Sequence, residues 1–585
     1  MSISGKRRQT LTAADFSDAL TKLHTGVGEV EHLSRNRDNE GMSTPPQIGD
    51  VNARDLAPIK LCVAMFGLML LSATWPLWFA SGDYPSIPWF RGLLIAPESV
   101  DRLLASGVVL SGLAVAWLTA RQWWRDRRDF QTGAAGDQAN IIASTIWIAC
   151  LTGSMLLDQH RVQVWAWEFL WLMLFLTLAT PRTALSCCRA LVIGIYFYSA
   201  VSKLDAGFVQ TQGPWLWQGL QRAMRVEDST AWGSSSSPRM LAFPLGELLI
   251  AGLLGLPRTR RWGVAGSAVM HLTLLLVLGP LGRDQLPGVL LWNLFFLVSV
   301  PQLFWGQRAL PGPATEWFGL THAGTASPQS RRTRMSVVRD ALPSLSIRDR
   351  FCLTAIVGLS LWPALEGVGL CDHWPAWAVY SSRPEVVVIQ ISDDQVTQLP
   401  LSLQSHVGPA EALSSWRPIS IDQWSFETRR CPTYPQSRYR LAVARHLEET
   451  YGVTLRVSEQ SPPDRRTGQR QSREIEDIAA ECDQRFWMNT QSPRSSAPPP
   501  SPPSRARCEN STHGWSGKSL TGCSLAGGRN EKGRRKGRRK GVREKKRGGR
   551  RKGVRSLCFL QTKDEKGAAN GQSKRPDPFL FSPNR

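Results

Sequence analysis

Between residues 58 and 306 the chain holds eight apolar stretches, each long enough to cross a bilayer, and a ninth follows at 351–370. A hydrocarbon core about 30 Å thick takes about 20 residues of helix. Lipid offers the backbone no hydrogen-bond partners, so such runs must satisfy their own N–H and C=O groups as helices. The predicted spans are 58–80, 101–120, 140–157, 163–181, 184–204, 240–256, 262–280, 285–306 and 351–370. The expected fold class is therefore an all-α polytopic bundle of about nine transmembrane helices, with a small extracytoplasmic α+β module and disordered termini. Soluble helical proteins do not carry runs this long and this free of charge.

Averages conceal the pattern. A mean hydropathy of −0.19 and a hydrophobic share of 42% describe an ordinary soluble chain, because polar ends dilute the apolar body. The net charge of +23 is just as uneven. Residues 529–555 alone carry 16 Lys and Arg against Glu531 and Glu544. The expected organisation is a disordered cytoplasmic head at 1–57, with Met42 as an alternative start, and a bundle at 58–306. A cytoplasmic loop at 307–350, the last span at 351–370, a module at 371–460 and a disordered tail at 461–585 follow. A cleavable signal peptide is not expected, since the first apolar run begins only near Pro58.

Direction follows from Lys and Arg in the short loops. With the N-terminus cytoplasmic, the inner loops hold Arg121, Arg125, Arg127 and Arg128, then Arg182 and Arg189, then Arg258, Arg260 and Arg261, then Arg308 through Arg350. The outer loops hold only Arg91, Arg102, Arg161 and Arg283, apart from the long loop 205–239. Nine spans then leave the C-terminal region outside a multi-pass cell-membrane protein, which is periplasmic in a diderm bacterium. Trp75, Trp78, Trp123, Trp124, Trp165, Trp215, Trp217, Trp305, Trp374 and Trp377 fall near predicted interfaces, where an amphipathic ring is favoured.

An ionisable group inside a span costs about 2.5–3.5 kcal/mol on insertion scales, so by default it faces the bundle interior or a water-filled cavity. Glu168, Lys203 with Asp205, Glu247, His271 and Asn293 are such groups. Lys203, Asp205, Glu247, His271 and Asn293 come from consecutive helices and fall in the outer half or near the middle of the membrane. This predicts an outward-opening polar cavity. Asp372 and His373, where the last span ends, are candidates for its mouth. Each residue also has a structural reading: Lys203 as a snorkelling anchor, Glu247 as its partner or a protonated acid, His271 and Asn293 as links between helices, Glu168 with a lone partner.

The stretch IGIYFYSAVSKLDAGFVQTQGPWLWQGL, 193–220, resembles the Lys-Leu helix of horizontally transferred transmembrane (HTTM) domains, which are related to the membrane part of vitamin K-dependent gamma-carboxylase. WGVAGSAVMHLTLLLVLGP, 262–280, resembles that family's later histidine helix, and DoxX- and MauE-like membrane proteins share the small-residue and Lys-Leu pattern. The carboxylase resemblance implies that Lys203 acts as a base toward a quinone-like or lipid substrate, with Asp205 the acid two residues on and His271 the later histidine. The chain departs from the pattern at Ala206-Gly207-Phe208 and at Met270. Three functions remain open: a non-catalytic site for a lipid, quinone or partner protein; an enzyme using Lys203 and His271; and a proton-coupled carrier using Glu247 and His271.

Beyond the last span, PEVVVIQI at 384–391 reads as a strand, LPLSL at 399–403 as a second strand, and RYRLAVARHLEETYGV at 438–453 as an amphipathic helix. Cys371 and Cys431 could pair if the module is extracytoplasmic. No cysteine spacing suits a metal, and no cofactor is implied. APPPSPPS and the basic repeat GRRKGVR, at 537–543 and 549–555, are too polar to bury a core. An outside tail keeps that charge from nucleic acid, which is not expected as a partner; membrane lipids are.

Overall fold

The computed structural model describes residues 53–79, 82–128, 135–226, 238–305, 345–410 and 413–493. Most of the polar head and of the 307–350 loop, the Pro-rich segment and the basic repeats lie outside the described residues. The chain divides into units 1–500 and 501–585, and every described residue belongs to the first.

Among the described residues the membrane body is helical: α1 (Ala53–Ala73), α2 (Glu98–Arg128), α3 (Ala135–Leu157), α4 (Val164–Leu178), α5 (Pro181–Val201), α6 (Ala206–Gln210), α7 (Gln212–Ala223), α8 (Ala242–Gly255), α9 (Arg260–Leu278), α10 (Pro287–Phe304) and α11 (Ile347–Leu361). Seven helices are long and apolar enough to cross a membrane, lying in α1, α2, α3, α5, α9, α10 and α11 with its 3-10 extension to Val368. The other two of the nine expected stretches are helices as well, α4 and α8, and are shorter. α4 has 15 residues and α8 has 14, so each reaches only about 21–23 Å. Prolines border both: Pro181 starts α5 directly after Thr180, and Pro238 opens the 3-10 turn Pro238–Leu241 that precedes α8. The predicted loop 205–239 also folds in part, as α6 and α7.

Helices approach closely where glycine allows it. A Cβ on Gly107 of α2 would lie 2.5 Å from the Cys150 sulfur of α3, so a larger residue here must displace the thiol or the helix that carries it. In the centre Phe169 of α4 sits 4.5 Å from Phe295 of α10, and Phe66 of α1 packs edge-on to Phe295 at 5.7 Å. All three rings are buried.

The connections after α1, α3 and α5 meet the C-terminal module. Arg429 donates to the Pro76 and Tyr84 carbonyls at 2.9 and 2.6 Å. Gln159 donates to Asn489 O at 2.8 Å, and Asn489 to Pro88 O at 3.0 Å. Ala206 N donates to Arg465 O at 2.9 Å. One end of the bundle is thus capped, and the cap buries several predicted interfacial tryptophans. Trp75, Trp124 and Trp305 are exposed, whereas Trp78, Trp165, Trp374 and Trp377 are buried.

The module contains a four-stranded antiparallel sheet in the order β2-β1-β3-β4, with β1 Val386–Ser392, β2 Trp416–Ile419, β3 Leu455–Gln460 and β4 Ser472–Ile475. In β1 Val387, Ile389 and Ile391 alternate inward, which is the period expected of a half-buried strand. Ile389 pairs with Ile419 on one side and Val457 on the other. Helices α12 (Ile421–Arg429), α13 (Ser437–Tyr451) and α14 (Ile478–Arg485) complete it, with α13 packed on β1.

Three expectations are corrected here. Residues 399–403 are not a strand; Leu401–Gln404 form a helical turn after Pro400, whose φ is −60° and which has no N–H for a ladder. The second strand is β2, which includes Pro418 and lies at the sheet edge, where proline is tolerated. The fold does not stop at 460 but runs on through β4 and α14. Buried Glu459 gathers Arg485 at 2.5 Å and Arg473 at 2.7 Å, which anchors these polar elements. Cys371 and Cys431 are free and buried; the Cys431 sulfur lies 3.4 Å from His160 Nε2 and Cys371 faces the Asp372 carbonyl.

Candidate functional site

Helix α5 carries Tyr196 and Ser199, and its C-cap is Ser202, so Lys203 stands just beyond the last turn. Tyr196, Ser199 and Lys203 are spaced i, i+3, i+7, which places them on one face. The Lys203 ammonium donates to both carboxylate oxygens of Glu247 on α8, at 2.9 and 2.8 Å, and to Ser199 Oγ at 2.6 Å. Its side chain is 3% exposed and that of Glu247 12%. This is a buried, bidentate ion pair, with the hydroxyl taking a third proton of the ammonium.

Two turns back along the same face, Tyr196 OH lies 2.8 Å from Ser267 Oγ and 2.7 Å from His271 Nε2, both on α9. His271 Nδ1 lies 3.0 Å from Asn293 Oδ1 on α10, and Asn293 Nδ2 donates to the Val289 carbonyl at 2.9 Å. The imidazole stacks on Phe296 with centroids 4.9 Å apart. Lys203 and Glu247 thus form one polar group, and His271 and Asn293 a second, both hung from α5. Tyr196, Ser199 and Ser267 were not singled out in the sequence. Their signal was there: Ser267 precedes His271 by four residues, and Tyr196 precedes Lys203 by seven.

The remaining candidates stand apart. Glu168 of α4 is fully buried and accepts from the Trp292 indole at 2.7 Å. Asp205 caps α6, accepting from Phe208 N at 2.6 Å and Ser382 Oγ at 2.9 Å. Asp372 turns into the module, where Arg438 grips both its oxygens and Tyr434 OH donates at 2.5 Å. His373 lies 2.9 Å from Glu366, which also accepts from Arg383 at 2.8 Å. Among the described residues no cluster of His, Cys, Asp and Glu could hold a metal ion.

A surface pocket of about 530 Å³ starts at Leu204, the residue after Lys203, and is lined by Leu204, Asp205, Val209, Gln210, Leu241 and Arg465 among others, with neither Lys203 nor Glu247 in its lining. It lies at the module-bearing end, between the end of α5, the start of α8 and the β3–β4 loop.

His160, in the connection from α3 to α4, is fully buried against Pro432 O at 2.9 Å and Ser425 Oγ at 3.3 Å. Burial pushes its pKa down to about 3, and the nearby Arg429 and Arg161 guanidiniums push the same way, against Asp422. The folded state cannot take the proton that the unfolded chain binds below about pH 6.5. Acidification therefore favours unfolding, by about 1.4 kcal/mol per pH unit between pH 6.5 and 3. Unfolding free energies of the full chain in detergent from pH 7.5 to 5 are expected to fall more steeply than those of His160→Gln. Equal slopes would dismiss His160 as the source.

Residues 181–286 match the family model for methylamine utilisation protein MauE. The matched region contains Lys203, Asp205, Glu247 and His271 and stops short of Asn293. No curated protein and no solved structure matches the chain. The family comparison thus supports the MauE-like side of the resemblance, a MauE-like polytopic membrane protein, and does not return HTTM domains.

Proposed function

We propose that the chain is a non-catalytic membrane protein that binds a lipid, a quinone or a partner protein at the module-bearing end of the bundle, beside the buried Lys203–Glu247 pair. The observation that carries this reading is the pocket opening at Leu204, directly after the buried pair. The excess of Arg in the opposite loops supports placing this end outside the cytoplasm. A site on a membrane-embedded helix end receives an amphiphile or a partner's transmembrane segment without crossing bulk water.

The alternative is a carboxylase-like enzyme with Lys203 as base, supported by the Lys-Leu motif that resembles HTTM domains. A base must be unprotonated when it acts. The Lys203 nitrogen is already engaged by both Glu247 oxygens at 2.8 and 2.9 Å and by Ser199 Oγ at 2.6 Å, which leaves it poorly placed to take a substrate proton and favours the binding reading. Photocrosslinking in cells with benzoylphenylalanine at Val209 tests it. A discrete lipid, quinone or protein adduct is expected, distinct from that formed at lipid-exposed Leu272 on α9. Identical adduct spectra at the two positions would end the proposal.

A further inference from the structure

The rim of this pocket has a chemistry that its floor does not. Arg465 and Arg466 are exposed on the β3–β4 loop and line the opening. Neither guanidinium is tied into an ion pair among the described residues. The loop that presents them is well ordered by its own bonds. Asp464 Oδ1 accepts from Arg466 N at 3.0 Å, Thr467 N at 2.7 Å and Thr467 Oγ1 at 2.9 Å. Gly468 follows at φ +74°, and a Cβ there would run into the Gln210 side chain, whose amide donates to Thr467 O at 3.0 Å. The pocket thus fastens α6 to a loop bearing two adjacent cations.

The carboxylate in the lining does not oppose an anion from close range. Asp205 Oδ1 is turned inward onto Phe208 N and Ser382 Oγ, and Arg470 lies near enough to offset its charge. Below the rim the surface turns apolar. Leu241 lines the pocket, and Leu245 and Leu249 continue from it at i, i+4, i+8, both exposed on α8. Phe197 on neighbouring α5 and Leu204 just beyond its end are exposed.

We infer that the pocket binds an anionic phospholipid, its phosphate held by Arg465 and Arg466 and its acyl chains laid along Leu241, Leu245 and Leu249. The inference rests on the reading of the α5 end as a ligand site and names the class of ligand. Guanidinium groups suit phosphate because their paired N–H donors match two oxygens at once. A free phosphate ion would use the rim alone and leave the apolar track without a role.

The test uses the purified full chain in detergent, with native mass spectrometry to count bound lipid. Phosphatidylglycerol is expected to bind at least tenfold more tightly than phosphatidylcholine. Arg465→Gln with Arg466→Gln should reduce that preference to about one, while Arg465→Lys with Arg466→Lys should keep most of it. Both arginines are exposed, so neither variant disturbs the core. An equal affinity for the two lipids, or a preference that survives the double glutamine variant, would overturn the inference. Inorganic phosphate displacing phosphatidylglycerol at equal concentration would overturn it too, in favour of a free-anion site. A discrete Val209 adduct with no headgroup preference removes the phospholipid and keeps the ligand site; loss of the adduct removes both.

Discussion

Exchanging Lys203 for methionine is expected to cost the full chain about 3–4 kcal/mol of stability, because removing one partner strands a buried charge. Glu247 would then keep its place in the bundle without the cation that both its oxygens accept from. Glu247→Gln strands the ammonium in the same way, although Ser199 Oγ at 2.6 Å still accepts one bond. Both single variants should unfold at markedly lower temperature in detergent. A Lys203→Met chain that melts with the parent would mean that the lysine is a headgroup anchor and its partner dispensable.

The second large effect belongs to the cap. Asp372→Asn is expected to remove about 3–5 kcal/mol, the range for breaking a buried pair. Arg438 is nearly inaccessible, at 8% side-chain exposure, and cannot shed its proton. Its guanidinium keeps the Gln159 side-chain carbonyl at 3.0 Å, the faces of Trp89 and Tyr434, and a single neutral amide oxygen at 372 in place of a carboxylate. Tyr434 OH and the two guanidinium nitrogens that shared the carboxylate must then share that one oxygen. Because Arg438 opens α13 and Asp372 follows the last span, the damage should be local. Backbone amides of 437–451 are expected to exchange faster than those of α5 and α10. Unchanged protection of α13 would show that the pair is not what fastens the module.

The helices of the membrane body were legible because lipid leaves an apolar run of about 20 residues few other folds. β1 and α13 were legible for a related reason, since Val387, Ile389 and Ile391 keep a period of two and Leu441, Ala444 and Leu447 recur at helical spacing. What escaped had no hydrophobic pattern to show. β4 reads Ser-Arg-Glu-Ile and is held by ion pairs reaching back to Glu459, a long-range fact no local window contains. β2 hid behind Pro418. The shortness of α4 and α8 escaped because hydropathy ignores where prolines start and stop a helix.

The candidate site was legible in its ionisable members, and its grouping only as far as Glu247 pairing with Lys203. Polar residues inside predicted spans identified Lys203, Glu247, His271 and Asn293, since lipid makes each of them costly. Which residue meets which depends on helix rotation, set by packing at contacts such as Gly107 on Cys150 rather than by the spans themselves. Asp372 and His373 show the same limit. Their position at a span end was read correctly, but Asp372 turns to Arg438 of the module and His373 to Glu366.

The central claim, that Lys203 and Glu247 form one buried pair joining α5 to α8, is tested most directly by a double-mutant cycle. Unfolding free energies of the parent, Lys203→Met, Glu247→Gln and the combined variant give the coupling between the two sites. Residues in direct contact couple by about 0.5–3 kcal/mol, and a bidentate buried pair should reach or exceed the upper end. The combined variant is expected to be more stable than either single one, having no stranded charge. Losses that simply add, to within about 0.5 kcal/mol, would contradict the pair and the site built on it.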